Sequence, residues 1–230
     1  MNEELKIKLE QAYRILYMEG LAEDTTRGHI TAKTEDNRIY IKPWGMGFEE
    51  VTAQDFLCVD LDGNLLERKG RLHSELPLHL EIYRRRKDVY SVIHVHPDCS
   101  VLLSSVFNGK MNIVGHNGMH FVRGIPFYPS EKLIHFKEQA VELAETMGDK
   151  LWVLMKNHGI VTAGRSIEEA AILAIDFEKA AKEHLITSLF SKVTELPTEV
   201  SEKMNERIYN QDQYGMMWGY YCRKLSRRKL

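Results

Sequence analysis

The apolar segment Val92–Pro97 (VIHVHP) restricts the possible folds of this chain more than any other feature. A short apolar run that stops at proline is typical of a buried strand ending at the edge of a sheet. Because alternate side chains of a strand point to the same face, His94 and His96 project together. Imidazole is the commonest metal ligand in proteins, so this spacing predicts two of the ligands of a metal site.

Two further candidate ligands lie in comparable surroundings. His158 sits between asparagine and glycine directly after the apolar run 152–155, and Glu75 follows Ser74 ahead of a predicted helix. Three neutral imidazoles and one carboxylate leave most of the charge of a divalent ion available to polarise a substrate. This donor set favours zinc, with manganese or iron as alternatives. A carboxylate at a helix start is also favoured by the helix dipole, so Glu75 as a simple capping acid stays open.

Composition narrows the class of protein. The 230 residues are 43% apolar and 28% charged, which fits one globular domain over residues 1–230. A net charge of −2 gives no electrostatic reason to expect nucleic acid or an acidic membrane as a partner. Three scattered cysteines form no disulfide framework. The chain opens without a signal-peptide pattern and has no apolar run of about 18 residues, so we expect a cytoplasmic protein.

Hydrophobic periodicity predicts alternating helices and strands. Helices are predicted over 4–20, 75–86, 97–106, 131–147 with Ser130 as cap, 167–190 and 199–224, the last within a C-terminal helical segment of about 199–230. Strands are predicted over 29–32, 38–42, 56–60, 89–96 and 152–155, with 159–164 continuing the last one and a weaker pair at about 111–128. Hairpin-like turns between several strands predict an α/β protein of α/β/α layers, in which helices flank a central, mostly antiparallel sheet.

Several loop residues are candidates for substrate contacts because their loops can face the predicted metal site. The Pro43–Phe48 turn allows close approach of its backbone at Gly45, and Trp44 offers an apolar wall. The histidines that lie in loops are His73, His116 and His120.

Six short motifs occur in a specific order along the chain. They are Gly28–Thr31 (GHIT), Pro43–Gly45 (PWG), Val51–Asp55 (VTAQD), Ser74-Glu75, His94–His96 (HVH) and Asn157–Gly159 (NHG). With these motifs, residues 8–190 resemble the class II aldolase/adducin family. The resemblance implies that His94, His96 and His158 are metal ligands and that Glu75 binds the metal or acts as acid and base. It also implies a homotetramer with sites between subunits.

The departures from the sugar-phosphate aldolases of that family concern phosphate recognition. Those enzymes carry asparagine after the first glycine and paired serines before the acid, whereas this chain has His29 and the pair His73-Ser74. The pattern is more similar to the branch of aromatic-acid and sugar-acid decarboxylases. We therefore expect His29 and His73 to contact a substrate carboxylate, Ser74 to contact the substrate, and Trp44 to border an organic ring.

The sequence predicts a metal-dependent lyase that cleaves a carbon–carbon bond through a metal-stabilised enolate-type intermediate. The favoured reaction is decarboxylation of a hydroxylated aromatic or related oxygenated acid. The alternatives are an aldolase acting on a hydroxyaldehyde, sugar phosphate or sugar acid, an iron-dependent oxygenase, and a non-catalytic adducin-like interaction protein.

An excess of aromatic and apolar residues over 209–221 bears on assembly. Large apolar surfaces usually mark contacts, and relatives close their sites with C-terminal aromatic residues, so we expect a homotetramer. Tyr214 and Tyr220 are then candidate proton donors to the substrate. The alternative is that these residues pack onto their own subunit.

Overall fold

The computed structural model describes residues 2–228, and within this range eight strands form a single sheet. They are β1 His29–Lys33, β2 Ile39–Ile41, β3 Leu57–Val59, β4 Leu65–Glu67, β5 Ser91–Val95, β6 Phe127–Tyr128, β7 Trp152–Met155 and β8 Gly159–Gly164. Their order is β4-β3-β2-β1-β5-β8-β7-β6, and every neighbouring pair is antiparallel except β6 and β7. The predicted α/β fold with a mostly antiparallel sheet is confirmed.

Helices cover both faces of the sheet. They are α1 Asn2–Met18, α2 Leu76–Arg85, α3 Asp98–Val106, α4 Lys137–Met147, α5 Ile167–Thr187, α6 Thr198–Ile208 and α7 Gln211–Arg227, with a 3-10 helix at His116–Arg123. Helices α2 and α4 pack together over one core. Helices α1, α3, α5 and α7 share the second core on the opposite face.

Strand β5 lies near the middle of the sheet and is buried along its whole length. Its side chains alternate between the two cores: Ile93 and Val95 pack with α1 and α5, while Val92 packs on the α2 side. The same alternation places His94 on the α2 side. The candidate site therefore forms between the sheet and the start of α2.

Two predicted strand assignments are wrong. Residues 111–128 form the 3-10 helix and only the two-residue β6, because the segment 115–118 has glycine at both ends, which weakens a strand. Residues 159–164 do not continue the strand 152–155 but turn back on it as a hairpin. Asn157, at φ +49°, makes that turn.

Two predicted helices have different limits. The helix expected over 131–147 begins at Lys137, where Gln139 Oε1 accepts the N–H groups of His135 and Phe136, so Ser130 does not cap it. The helix expected over 199–224 is divided into α6 and α7, and Asn210 caps α7 by accepting the N–H of Gln213 at 3.1 Å. The last two residues of the predicted segment 199–230 lie outside the described residues.

None of the helices in residues 2–228 has both the length and the apolar character needed to cross a membrane.

Gly159 is predicted to be essential to the hairpin. A Cβ atom on Gly159 would lie 2.4 Å from the carbonyl oxygen of Val95 and 2.9 Å from Cδ2 of His96. Gly159→Ala should therefore force β8 away from β5 and destabilise the fold by about 1–3 kcal/mol, measured as the midpoint of urea unfolding. The control is Gly215→Ala in α7, where no neighbouring atom lies within 4 Å and alanine should be neutral or slightly stabilising. Equal midpoints for Gly159→Ala and the wild type would contradict this prediction.

Candidate metal centre

Four side chains converge where β5 ends. His94 is on β5 itself, and His96 follows the strand immediately before Pro97. His158 lies in the turn between β7 and β8, next to the end of β5 because Val95 pairs with Ile160. Glu75 is the residue that precedes α2. Strand pairing and a helix start thus bring together residues that are far apart in the sequence.

The four ligand atoms face one another. His94 Nε2 lies 3.0 Å from His96 Nε2 and 3.5 Å from Glu75 Oε2, and Glu75 Oε1 lies 3.8 Å from His158 Nε2. One ligand atom from each residue falls within 4.8 Å of the other three. The cluster is therefore compact enough for one ion to contact all four residues.

The opposite nitrogens of two rings are held by acceptors. His94 Nδ1 lies 3.0 Å from the carbonyl oxygen of Ile160, and His96 Nδ1 lies 2.6 Å from Asp24 Oδ2. A ring that donates from Nδ1 presents an unprotonated Nε2 on its other side, as in metal-bound histidines. His158 Nδ1 is buried and has no hydrogen-bond partner within residues 2–228.

Burial and hydrogen bonding set the charges of the cluster. Burial lowers the pKa of His158 to about 3, and it lowers the pKa of His96 despite the opposing effect of Asp24. Burial alone would raise the pKa of Glu75, but the His29 and His94 rings that face its carboxylate outweigh this effect and hold that pKa far below its usual range. At neutral pH the cluster therefore has neutral His96 and His158 rings and an ionised carboxylate, as metal binding requires.

The donor set fits a divalent ion. The Nε2 atoms of His94 and His96 lie 3.0 Å apart, and each belongs to a ring whose Nδ1 faces an acceptor. A ring that donates from Nδ1 can direct its Nε2 lone pair at an ion placed between the two rings. Nitrogen and oxygen donors of this kind suit zinc, manganese and iron.

Glu75 does not act as a capping acid for α2. Its side chain makes no capping hydrogen bond, although it stands at the N-cap position. Its Oε1 instead accepts the N–H of Ile134 at 2.9 Å, from the loop before α4. The carboxylate is thus fixed by a loop on one side and faces the histidines on the other.

A cavity of about 830 Å³ opens beside the cluster, within the usual size range for small-molecule sites. Of the expected substrate residues, Trp44, His73 and Ser74 line it. Residues that the sequence reasoning missed complete the lining: Asp24, Arg27, Asp98, Val101, Leu102, Leu133 and Asn157.

One wall of the cavity combines an aromatic ring with positive charge. Trp44 is about half exposed, and the Arg71 guanidinium lies 3.8 Å from its ring centroid. Arg27 is exposed and forms no ion pair with any residue in the described range. Behind this wall the buried Lys42 donates to the carbonyl oxygens of Thr26 and Met46, both at 2.8 Å, and thereby ties the two loops together. Burial lowers the pKa of Lys42 to about 8.

Other predicted site residues lie outside the cavity lining. His29 is completely buried behind Glu75, and Gly45 forms the turn after Trp44 at φ +89°. His116 is exposed on the 3-10 helix. Tyr214 is buried within its own chain, 6.3 Å from the ring of His120, which is also buried. Tyr220 is about half exposed on α7.

The residues missed from the sequence lie in loops or in the first five positions of α3. Asp24 and Arg27 precede β1, which is the neighbour of β5, and His29 pairs with His94. A prediction that β1 pairs with β5 would have indicated that residues 24–27 lie beside His96. Leu133 carries no comparable signal, because its loop is positioned only by the contact between Ile134 and Glu75.

The comparison with family models decides the relationship. The model for the class II aldolase and adducin N-terminal domain matches residues 7–185. The chain belongs to this family.

The relatives of this chain include a decarboxylase and aldolases. A 3,4-dihydroxyphthalate decarboxylase from Arthrobacter keyseri is 34% identical over 199 residues, covering 81% of this chain and 80% of the relative. An L-fuculose phosphate aldolase from Methanocaldococcus jannaschii is 32% identical over 167 residues, covering 72% and 87%. The structure of an aldolase II superfamily protein from Pseudomonas syringae matches with a TM-score of 0.89 and 24% identity over 98% and 93% of the two chains, which supports the fold. The expectation of a carbon–carbon lyase of this family is confirmed.

The buried histidines should make the metal-free protein less stable in mild acid. Burial lowers the pKa of His73 to about 4 and of His158 to about 3, whereas unfolded histidine titrates near 6.5. Between pH 6.5 and 4 the unfolded chain therefore binds protons that these folded rings do not, and the free energy of unfolding falls as pH falls. Each such group contributes a slope of up to about 1.4 kcal/mol per pH unit.

Urea unfolding of chelator-treated protein at several pH values measures this slope. His158→Gln should give a shallower slope than the wild type, while His135→Gln, at an exposed position outside the site, is the matched control. Equal slopes for His158→Gln and the wild type would show that the ring takes up its proton in the folded state.

Proposed function

We propose that His94, His96, His158 and Glu75 bind one divalent ion, zinc in the first instance, and that the protein decarboxylates a hydroxylated aromatic acid. The observation that carries this proposal is the position of the four-ligand cluster beside a cavity with an aromatic wall and the exposed cation Arg27. When bound, the ion supplies a Lewis acid that stabilises negative charge developing on a substrate oxygen.

The residues around the cavity suggest how such a substrate is held. Trp44 offers a flat apolar surface for an aromatic ring, and Arg27 offers two parallel N–H groups to a carboxylate that the reaction retains. His73 and Ser74 lie next to Glu75 in the lining. Because His29 is buried, the contact with a substrate carboxylate that the sequence suggested for it falls to Arg27 in this proposal.

Glu75 has the protonation state of a base. Ionised at neutral pH, it can accept the proton of a ring hydroxyl as the substrate binds. When the carbon–carbon bond breaks, its electron pair stays on the ring, carbon dioxide leaves, and Glu75 returns the proton to the ring carbon. The proton taken from the hydroxyl thus joins the electron pair left on the ring carbon, and the reaction needs neither an oxidant nor a reductant.

Both activities named among the relatives remain candidates. The decarboxylase relative acts on a dihydroxyphthalate, which carries two carboxylates and two hydroxyls, and the cavity of this chain offers Arg27 to a carboxylate and Glu75 as a base. The aldolase relative supports aldol cleavage as the second candidate. One observation argues against phosphate recognition. His29 stands where the sugar-phosphate enzymes carry an asparagine, and its buried ring is inaccessible to a ligand.

Substrate profiling of the metal-loaded protein separates these functions. We expect release of carbon dioxide without consumption of oxygen from one member of a panel of hydroxybenzoates, hydroxyphthalates and hydroxy-keto acids. Aldehyde release from a sugar phosphate or hydroxy acid would establish the aldolase instead. Oxygen consumption would indicate an oxygenase, and absence of any bound metal or turnover would favour an adducin-like interaction protein.

Two variants test the assigned roles in the same assay. His94→Ala should lose both bound metal, measured by elemental analysis, and turnover. Arg27→Gln should raise KM for a diacid about tenfold or more and leave KM for the matching monoacid within twofold, since only the diacid retains a carboxylate. Equal effects on both acids would remove Arg27 from substrate recognition.

We further propose a homotetramer in which a neighbouring subunit closes the cavity. Leu102 and Leu133 line the cavity yet are 57% and 50% exposed, and Val106 on the same helix as Leu102 is 63% exposed. Apolar side chains exposed together at a site entrance favour a covering partner. Of the two candidate tyrosines, Tyr220 is accessible to a neighbour, whereas Tyr214 is buried in its own chain.

Light scattering should give a mass near four times the 26.7 kDa subunit. If Tyr220 reaches a neighbour's substrate, Tyr220→Phe should lower kcat at unchanged metal content and unchanged mass. A monomer in solution would contradict the assembly, and a fully active Tyr220→Phe would exclude this hydroxyl as a proton donor.

A further inference from the structure

A continuous chain of buried hydrogen bonds runs behind the metal cluster. Tyr83 OH lies 2.7 Å from Thr31 Oγ1, Thr31 Oγ1 lies 2.8 Å from His79 Nδ1, and His79 Nε2 lies 2.6 Å from His29 Nδ1. All four side chains are completely buried, and none of them lines the cavity. Thr31 and His29 are on β1, while His79 and Tyr83 lie one turn apart on α2, so the chain spans the contact between sheet and helix.

The chain ends at the carboxylate of the metal cluster. His29 Nε2 is buried and has no hydrogen-bond partner among residues 2–228. It lies 3.9 Å from Glu75 Oε2, so that carboxylate oxygen is the acceptor that it faces. Glu75, which carries this oxygen, is four residues before His79 along the chain and lies on the side of α2 that faces the sheet.

The carboxylate determines the direction of every hydrogen bond in the chain. An ionised carboxylate only accepts, so the nitrogen that faces it must carry hydrogen. A neutral His29 with hydrogen on Nε2 accepts at Nδ1, which requires His79 to donate from Nε2 and accept at Nδ1. Thr31 then donates to His79 and accepts from Tyr83. The reverse order would direct the lone pair of His29 Nε2 at the carboxylate.

Competing contacts do not disturb this assignment. The hydroxyl of Thr31 has one hydrogen, and its alternative acceptor, the carbonyl oxygen of Val92, is farther away at 3.4 Å. Both rings are completely buried, which disfavours a charge on either of them. From Tyr83 through Thr31 and His79 to His29, each hydrogen then has one acceptor, and the hydrogen on His29 Nε2 faces Glu75 Oε2 at 3.9 Å.

We propose that Thr31 and His79 are positioning residues, which act through His29 to present a fixed N–H to Glu75 Oε2. This proposal rests on the proposed role of Glu75 in proton transfer. With Ile134 N–H on Oε1 and His29 N–H directed at Oε2, the plane of the carboxylate is set from two sides. Loss of the chain should leave binding intact and impair the step that needs Glu75 in one orientation.

Neutron diffraction from crystals of the holoenzyme exchanged into heavy water tests the direction of the chain. We expect deuterium on Nε2 and none on Nδ1 in both His29 and His79, with the Thr31 deuteron directed at His79. Deuterium on Nδ1 of either ring would overturn the proposal. Proton positions do not depend on which substrate is used, so this result decides the direction of the hydrogen bonds even if no compound of the panel turns over. Failure of the whole panel would count against the proposed function alone.

Kinetics of the holoenzyme test the consequence. Thr31→Val keeps the shape of the side chain but removes the hydroxyl, and it should lower kcat about tenfold or more while KM and metal content stay within twofold of the wild type. Thr31→Ser should restore kcat to within threefold. If Thr31→Val lowers only stability, or if Thr31→Ser fails to restore kcat, the positioning role is refuted.

A matched control separates positioning from loss of a buried hydrogen bond. Ser91 is completely buried on β5, and its hydroxyl donates to the backbone carbonyl of Thr31 at 2.9 Å without joining the chain. Ser91→Ala should lower thermal stability as Thr31→Val does and leave kcat unchanged. A fall in kcat for Ser91→Ala equal to that for Thr31→Val would mean that any loosening of this strand pair slows the enzyme, which would overturn the specific role of the chain.

Discussion

The antiparallel pairing of β5 with β1 and β8 sets the position of the metal cluster. His94 pairs with His29 on one side of β5, and Val95 pairs with Ile160 on the other, so the turn carrying His158 ends beside His96. Side chains of a strand alternate between two faces, and a slip of one residue would move His94 into the opposite core. The ladder is buried throughout and packed between two helical layers, which makes such a slip costly.

The cluster works against the stability of the surrounding fold. It places several neutral imidazoles and one ionised carboxylate in a region where burial opposes charge. The Nε2 atoms of His94 and His96 are only 3.0 Å apart, and one ring nitrogen of His158 has no partner within the described residues. A fold selected only for stability would fill this space with apolar side chains. A bound cation offsets these unfavourable terms together, which links metal binding to folding.

The sequence was most informative where strand period and chemistry coincide. The convergence of His94, His96 and His158 could be predicted because each lies on or next to an apolar strand whose end is marked by proline or glycine. The alternation of helices and strands also predicted the α/β sheet with its antiparallel pairing. Both signals are local, and both depend on short-range backbone geometry.

The parts that could not be predicted depend on contacts between distant segments. His79 falls inside an ordinary helical pattern, and its partners Thr31 and His29 become neighbours only when α2 packs on β1. Arg27 and Leu133 lie in loops without periodicity, and their positions follow from tertiary contacts rather than from their own sequence. The segment 111–128 was assigned wrongly because its apolar residues suit a strand, while its glycines and its packing against α5 and α6 favour a tight helix.

The hydrogen bond from Ile134 to Glu75 has a consequence for access to the site. Ile134 is adjacent to Leu133 at the mouth of the cavity, so one short loop both borders the entrance and holds a carboxylate oxygen. A displacement of that loop large enough to widen the entrance breaks the hydrogen bond and leaves Oε1 without its donor. A carboxylate that loses a donor becomes more basic. One backbone hydrogen bond therefore links the position of this loop to the proton affinity of the carboxylate.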